Sequence, residues 1–201
     1  MSTSVNAAIG RPRIFDEESV LAKLTALFWR QGYGQTSMAD IVEASGVHKP
    51  SLYRTFGTKE ELFATVLRRY LAERIAMFAD LIEQAGPGVE GVHQFLELLE
   101  ADAVSEQGLD GCLMVMASNE LRGKLPGYDF ATSNRQQMRE QISTLIGRTL
   151  PEDQADSVIA QARTDLFATY LLGLHVIMRS GASADVIHRT INAMHVTVDG
   201  W

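Results

Sequence analysis

Between Ala44 and Lys59 the chain places three cations, Lys49, Arg54 and Lys59, and no carboxylate. Side chains able to hydrogen-bond stand among them: His48, Ser51, Tyr53, Thr55 and Thr58. Cations and hydroxyls at this density can neutralise and hydrogen-bond phosphate oxygens, while a few of them read base edges. The surrounding composition sets the segment apart. The 201 residues carry 18 Lys/Arg and 25 Asp/Glu, a net charge of -7. Residues 1–74 hold ten of the cations and eight of the acids, net +2, and residues 75–201 hold eight and seventeen, net -9. That asymmetry is expected when only one part of a chain meets an anionic partner.

The elements that must position these residues are helical. Val20, Leu21, Leu24, Leu27 and Phe28 share one helix face, with Asp16 as N-cap and Gly32 and Gly34 as its end. Short helices fit Thr36–Ala44 and His48–Phe56, separated by Gly46. Pro50 is tolerated in the first turn of the second, where its missing N–H has no intrahelical partner. Thr58 caps a long helix reaching toward Gln84, and "GPG" at Gly86–Gly88 breaks it. Further helices are expected at 89–106, 113–122, 129–148, 152–179 and 184–198. No window alternates with the period of a strand. The expected fold is all-α, about nine helices, with an N-terminal three-helix head and a C-terminal helical body.

Two short helices joined by a Gly-containing turn and buttressed by longer ones describe a helix-turn-helix. In that unit the second helix enters the major groove with its N-terminal residues against base edges. Leu52 and Phe56, four apart, point inward. The run "LFWRQGYGQTSMADIVEASGVHKPSLYRTFGTKEELF" resembles the DNA-binding domain of the TetR/AcrR family of bacterial transcriptional regulators, over residues 14 to 63. The likeness lies in "LFWRQGY", the "TSM" opening of the second helix, the "SGV" turn, "LYRTF" and "KEELF". The family more often has a small residue where Pro50 stands and Ser where His48 stands, departures that bear on the bases read.

The resemblance implies a homodimer that binds a palindromic double-stranded DNA operator, with a DNA-binding head (residues 1–60) and an effector-binding and dimerisation body (residues 61–201). Carried over by position, it implies phosphate contacts from Thr36, Ser37, Tyr53 and Lys59. His48, Lys49, Pro50 and Ser51 would face the groove, and Arg54 base or backbone. Arg11 and Arg13 would reach the minor groove or backbone. Tyr33 is read as packing against the long helix.

In the body, Leu166–Met178 is apolar on almost every side, yet at thirteen residues it is shorter than the roughly 20 a membrane span needs. A helix apolar all round must be covered all round. The resemblance places the dimer interface on the last two helices, hence Leu166, Tyr170, Gly173, Leu174, Ile177, Ile187, Ile191 and Met194. His175 and His188 are read as interface or core polar residues. An effector pocket is expected from His93, Cys112, Met114, Met116, Asn119, Met138 and Tyr170, Met being adaptable to varied ligands. The acidic body favours a neutral or cationic, largely hydrophobic effector.

Cys112 is the one cysteine, so no intrachain disulfide forms, which fits a reducing compartment. With no signal-peptide pattern at the N-terminus, a cytoplasmic protein is expected. Cys112 has two readings, a buried small hydrophobe or a thiolate activated near a helix N-terminus. The second would make the protein a redox or electrophile sensor on the same DNA-binding head. An enzyme is the outsider: Cys112 and His93 could pair, but no phosphate loop and no metal-ligand spacing accompany them. No cofactor and no metal are expected.

Overall fold

The computed structural model describes residues 15–105, 108, 111–121, 129–155 and 157–201, and of Asn119 only the backbone. Within them the fold is all-α. The order is α1 (Glu17–Gln31), α2 (Met38–Ser45), α3 (Lys49–Phe56), α4 (Lys59–Gln84), α5 (Gly88–Ala103), α6 (Leu113–Glu120), α7 (Phe130–Gly147), α8 (Val158–Arg179) and α9 (Ala184–Val198). Among the described residues no helix is long and apolar enough to cross a membrane.

Local chemistry sets the helix ends in the head. Asp16 caps α1 by accepting from the Glu18 N–H at 3.1 Å. Ser37 and Asp40 form a reciprocal capping box at α2, and Thr58 and Glu61 form another at α4. Gly46 ends α2 at φ 69°, a left-handed turn that costs glycine little. Three expected boundaries shift. Helix α2 begins at Met38, because Ser37 is its cap rather than its first turn. His48 is the N-cap of α3. The stretch from 152 divides into a 3-10 turn, Glu152–Gln154, and α8, which starts after the Ser157 cap.

Apolar faces converge on two cores. The first joins Leu24, Phe28, Ile41, Leu52, Phe63 and Val66 to Leu113, Met114 and Ala117 of α6. The second joins Phe78, Phe95, Leu99, Ile142, Ile146, Phe167, Leu171, Leu174, Ile187 and Ile191. Edge-to-face rings tie each together, Phe28–Phe63 at 4.7 Å and Phe78–Phe95 at 5.6 Å. Helix α4, about 39 Å long at 1.5 Å per residue, enters both cores, and the division placed at residue 60 falls in its first turn. Arg148 holds its far end, donating to the carbonyls of Ile82 and Ala85 at 2.6 and 3.0 Å.

Candidate nucleic-acid interface

Helix α3 turns one face inward and one outward. Leu52 is fully buried and Phe56 packs on the head core, where its ring meets Phe15 at 6.2 Å. The outer face exposes His48, Lys49, Pro50, Tyr53, Arg54 and Thr55, with Ser51 half-buried among them. Arg54 Nη2 donates to Ser51 Oγ at 3.4 Å, and the Lys49 ammonium stands 5.7 Å from the Tyr53 ring centre. These contacts are loose and solvent-facing, so both cations can turn to phosphate or base. The structure thus brings six of the expected contact residues onto one exposed face.

Three further expected contacts, Thr36, Ser37 and Lys59, are engaged within the chain. Thr36 is buried and its hydroxyl donates to the Gly32 carbonyl at 2.6 Å. It holds the α1–α2 turn, and its side chain is not presented to a phosphate. Ser37 is exposed, but its hydroxyl caps α2, accepting from the Asp40 N–H at 3.2 Å. Lys59 is half-buried. Its ammonium donates to the Tyr33 carbonyl at 2.7 Å and lies 4.1 Å from the Tyr33 ring centre. Burial holds its pKa below the usual lysine value, against the pull of Glu60, Glu120 and Asp40. Tyr33 packs as expected, 5.0 Å from the Phe63 ring, and its hydroxyl donates to Glu60 at 2.8 Å. Burial and then Glu60 push that hydroxyl up to about 12. Arg11 and Arg13 lie outside the described residues.

The body contains a small pocket, half open to solvent. It is lined by Arg74, Ile75, Phe78, Cys112, Val115, Asn134, Met138, Gln141, Leu172 and His175. Four helices build it: α4, the start of α6, α7 and α8. Of the residues expected there, Cys112 and Met138 line it. Met114 is buried in the head-side core and Met116 packs against it. His93 lies on α5, stacked on His195 with Nδ1 to Nδ1 2.7 Å, and its Nε2 meets Asp199 at 3.2 Å. Tyr170 lines a separate groove, with Val186, Arg189, Thr190, Ala193, Met194 and Thr197. The side chain of Asn119 lies outside the described residues.

Arg74, Asn134, Gln141 and His175, none of them assigned to a pocket in the sequence, give the cavity its polarity. Arg74 donates through Nη2 to Asp102 at 3.0 Å. Burial opposes its charge, and the Tyr70 oxygen and the Asp102 carboxylate more than offset that. His175, expected as an interface or core residue, lines the cavity, with Nδ1 2.8 Å from the Leu171 carbonyl. Burial lowers its pKa and keeps it neutral near pH 7. Cys112 Sγ accepts from the Tyr70 hydroxyl at 3.5 Å, and that hydroxyl accepts from the Leu113 N–H at 3.3 Å. Burial, then Cys112, pushes the Tyr70 hydroxyl up. Among the described residues no group of three or more His, Cys, Asp or Glu could hold a metal ion.

The expected interface residues fall into two sets. Leu174, Ile187 and Ile191 are fully buried inside the single chain, and Met194 nearly so. Helix α9 packs on α5 and α8, and α8 packs on α7, closely enough to bury them within one chain, so they are core. Leu166 and Gly173 are exposed, and Tyr170 and Ile177 half-buried. Val176 of α8, 53% exposed, and Val196 of α9, 66% exposed, are further apolar side chains open to solvent and were not singled out in the sequence.

A short cationic helix held across a glycine turn by two capped neighbours, on an all-helical body, defines a helix-turn-helix transcription regulator. The family model described as "Bacterial regulatory proteins, tetR family" matches residues 20–66, from α1 into α4. The HTH-type transcriptional repressor ComR of Escherichia coli (strain K12) is 49% identical over 67 residues, 33% of this chain and 32% of that protein, so the match spans about a third of each. BdcR, an HTH-type transcriptional repressor of the same strain, is 27% identical over 183 residues, 90% of this chain and 88% of that one. Among solved structures, a cysteine mutant of the TetR family transcriptional regulator CifR, complexed with 26-bp double-strand operator DNA, matches with TM-score 0.73 and 29% identity. That match covers 91% of this chain and 99% of CifR. Residues 20–66 therefore match the TetR family of bacterial regulatory proteins, and the fold of the chain matches a TetR family regulator along nine-tenths of its length.

Proposed function

We propose that this chain is a homodimeric repressor that leaves a palindromic operator when a small, largely hydrophobic molecule enters the body. The observation that carries the reading is the cavity, which has α4 and α6 in its wall while the same two helices enter the head core. A ligand that binds the DNA-free arrangement better than the DNA-bound one shifts the population toward release. The repressor names of ComR and BdcR and the operator DNA of CifR support the DNA-binding half.

The cavity narrows the effector. Ile75, Phe78, Val115, Met138 and Leu172 favour an apolar body. The Arg74 guanidinium disfavours a cation, and its pairing with Asp102 leaves little charge for a full anion. An uncharged molecule with one hydrogen-bond acceptor fits best.

Dimerisation draws support from the outer face of α8 and α9. A Cβ added at Gly173 would meet nothing within 4 Å, leaving room for a second helix.

Cys112 modification is a second reading, favoured by its place on the cavity wall beside the Tyr70 hydroxyl. One experiment separates the two. Uncharged, cationic and carboxylate compounds are screened for a concentration-dependent rise in Tm and for DNA release, in wild type and Cys112→Ser. Release of both proteins by an uncharged compound supports reversible binding; release of wild type alone, with added mass on Cys112, supports the sensor. Release by carboxylates alone would refute the effector assignment.

A further inference from the structure

We propose that Glu120, at the C-terminal end of α6, is the positioning residue through which the state of the body cavity reaches the DNA-binding head. The proposal rests on the cavity being the effector site. Helix α6 begins at the cavity, where Cys112 and Val115 line the wall. It ends about 12 Å away at 1.5 Å per residue, against the turn that joins α1 to α2. There Glu120 Oε2 accepts from the Gly34 N–H at 2.7 Å, across 86 residues of sequence. The carboxylate is seated on bare backbone, because a Cβ built on Gly32 would run into Glu120 Oε1.

The gripped turn leads directly to the DNA face. Gly32 offers its carbonyl to the Thr36 hydroxyl at 2.6 Å, and the next residue, Ser37, is the cap of α2. Helix α2 is the partner of the recognition helix. From the other side Lys59 holds the Tyr33 carbonyl of the same turn. At the cavity end of α6, Gly111 accepts from Trp29 Nε1 at 3.0 Å, and Arg179 of α8 donates to the carbonyls of Trp29 and Arg30 at 3.0 and 3.1 Å. Those contacts anchor the last turn of α1. Glu120 is the contact that takes α6 past α1 to the turn itself. A short helix moves as a rod, so displacement of its first turn by a ligand is passed to Glu120 and on to α2.

The test uses the full chain, with N-ethylmaleimide on Cys112 as the cavity occupant and a duplex selected by the wild-type protein. Mass spectrometry confirms the single adduct. In wild type, alkylation raises amide exchange across residues 32–42 and weakens DNA binding about tenfold, the usual scale of coupling between sites. In Glu120→Ala, exchange across 32–42 is already raised, and alkylation changes DNA affinity by less than about threefold. Glu120→Gln, which keeps an acceptor oxygen, recovers most of the coupling. The proposal is overturned if Glu120→Ala leaves exchange at Gly34 unchanged, or if alkylation weakens its DNA binding as much as in wild type. If alkylation of wild type has no effect on DNA binding, the cavity reading falls, whereas the exchange of Glu120→Ala alone still decides whether the strut holds the turn.

Discussion

Leu174 and Val176 are two residues apart on α8 and face opposite fates. Leu174 is 0% exposed within one chain and Val176 is 53% exposed, next to the open space at Gly173. Replacing Leu174 by Ala removes buried methyl groups and leaves a cavity, a change that costs about 2–5 kcal/mol. For a chain of this size each kcal/mol lowers Tm by about 2–4 °C, so Leu174→Ala lowers it by roughly 4–20 °C. The outer face is untouched, and the variant stays dimeric below its Tm. Val176→Glu adds a carboxylate that water solvates in the isolated chain, where surface changes stay within about 0.5 kcal/mol. At a subunit seam the same carboxylate is desolvated and unpaired, a penalty of several kcal/mol for each of the two copies. Sedimentation velocity and circular dichroism read the two effects separately. Val176→Glu sediments as a helical monomer at micromolar concentration, and Leu174→Ala as a dimer with a lowered Tm. A Val176→Glu dimer of wild-type affinity, or a Leu174→Ala monomer with unchanged Tm, would refute this division of α8 into an inner and an outer face.

Arg54→Ala removes one exposed cation per subunit and should lower the slope of log K against log salt by about 0.9 for each phosphate that Arg54 neutralises; anisotropy of a labelled duplex over a salt series measures it, and an unchanged slope would remove Arg54 from the backbone-binding set. Lys49→Ala should instead change base preference in a selection among duplexes. Lys59→Ala should lower Tm, because it deletes a charge-assisted bond to the Tyr33 carbonyl worth about 1.5–3 kcal/mol; an unchanged Tm with weakened DNA binding would return Lys59 to the phosphates. His175 has a lowered pKa in the fold, so the unfolded chain binds its proton first. Its contribution is complete above the unfolded value of about 6.5 and is lost as the pH falls below that. Wild type should therefore lose more stability than His175→Gln between about pH 6.5 and 5, as read by denaturant unfolding; equal losses would contradict the burial of a neutral imidazole.

The head is legible in the sequence because its signals are local. Gly46, Thr58 and the Leu52–Phe56 spacing act within a turn or two of where they stand, and each sits where the sequence puts it. Thr36 is easily misread because a hydroxyl beside a cap looks free until the Gly32 carbonyl is seen to take it. The cavity is illegible for a different reason. Periodicity tells which residues share a face but not which faces meet, and Arg74, Gln141 and His175 come together from α4, α7 and α8. Arg74 counts with the basic N-terminal part of the chain, although its side chain points into the body. Leu174, Ile187 and Ile191 suggest a subunit seam because α8 is apolar on nearly all sides. The cover comes from within the same chain, chiefly from α5, α7 and α9.

The central claim, that this chain is a dimeric reader of a palindromic DNA site, is tested most directly by selection. The purified full-length protein is offered a random pool of duplexes at near-physiological salt, and the retained duplexes are sequenced. The account predicts one enriched palindrome whose half-sites lie about 34–36 Å apart or a multiple of it. It should bind at least about a thousandfold more tightly than random duplex, with two chains per site. Retention without an enriched sequence, or an asymmetric site occupied by a single chain, would contradict it.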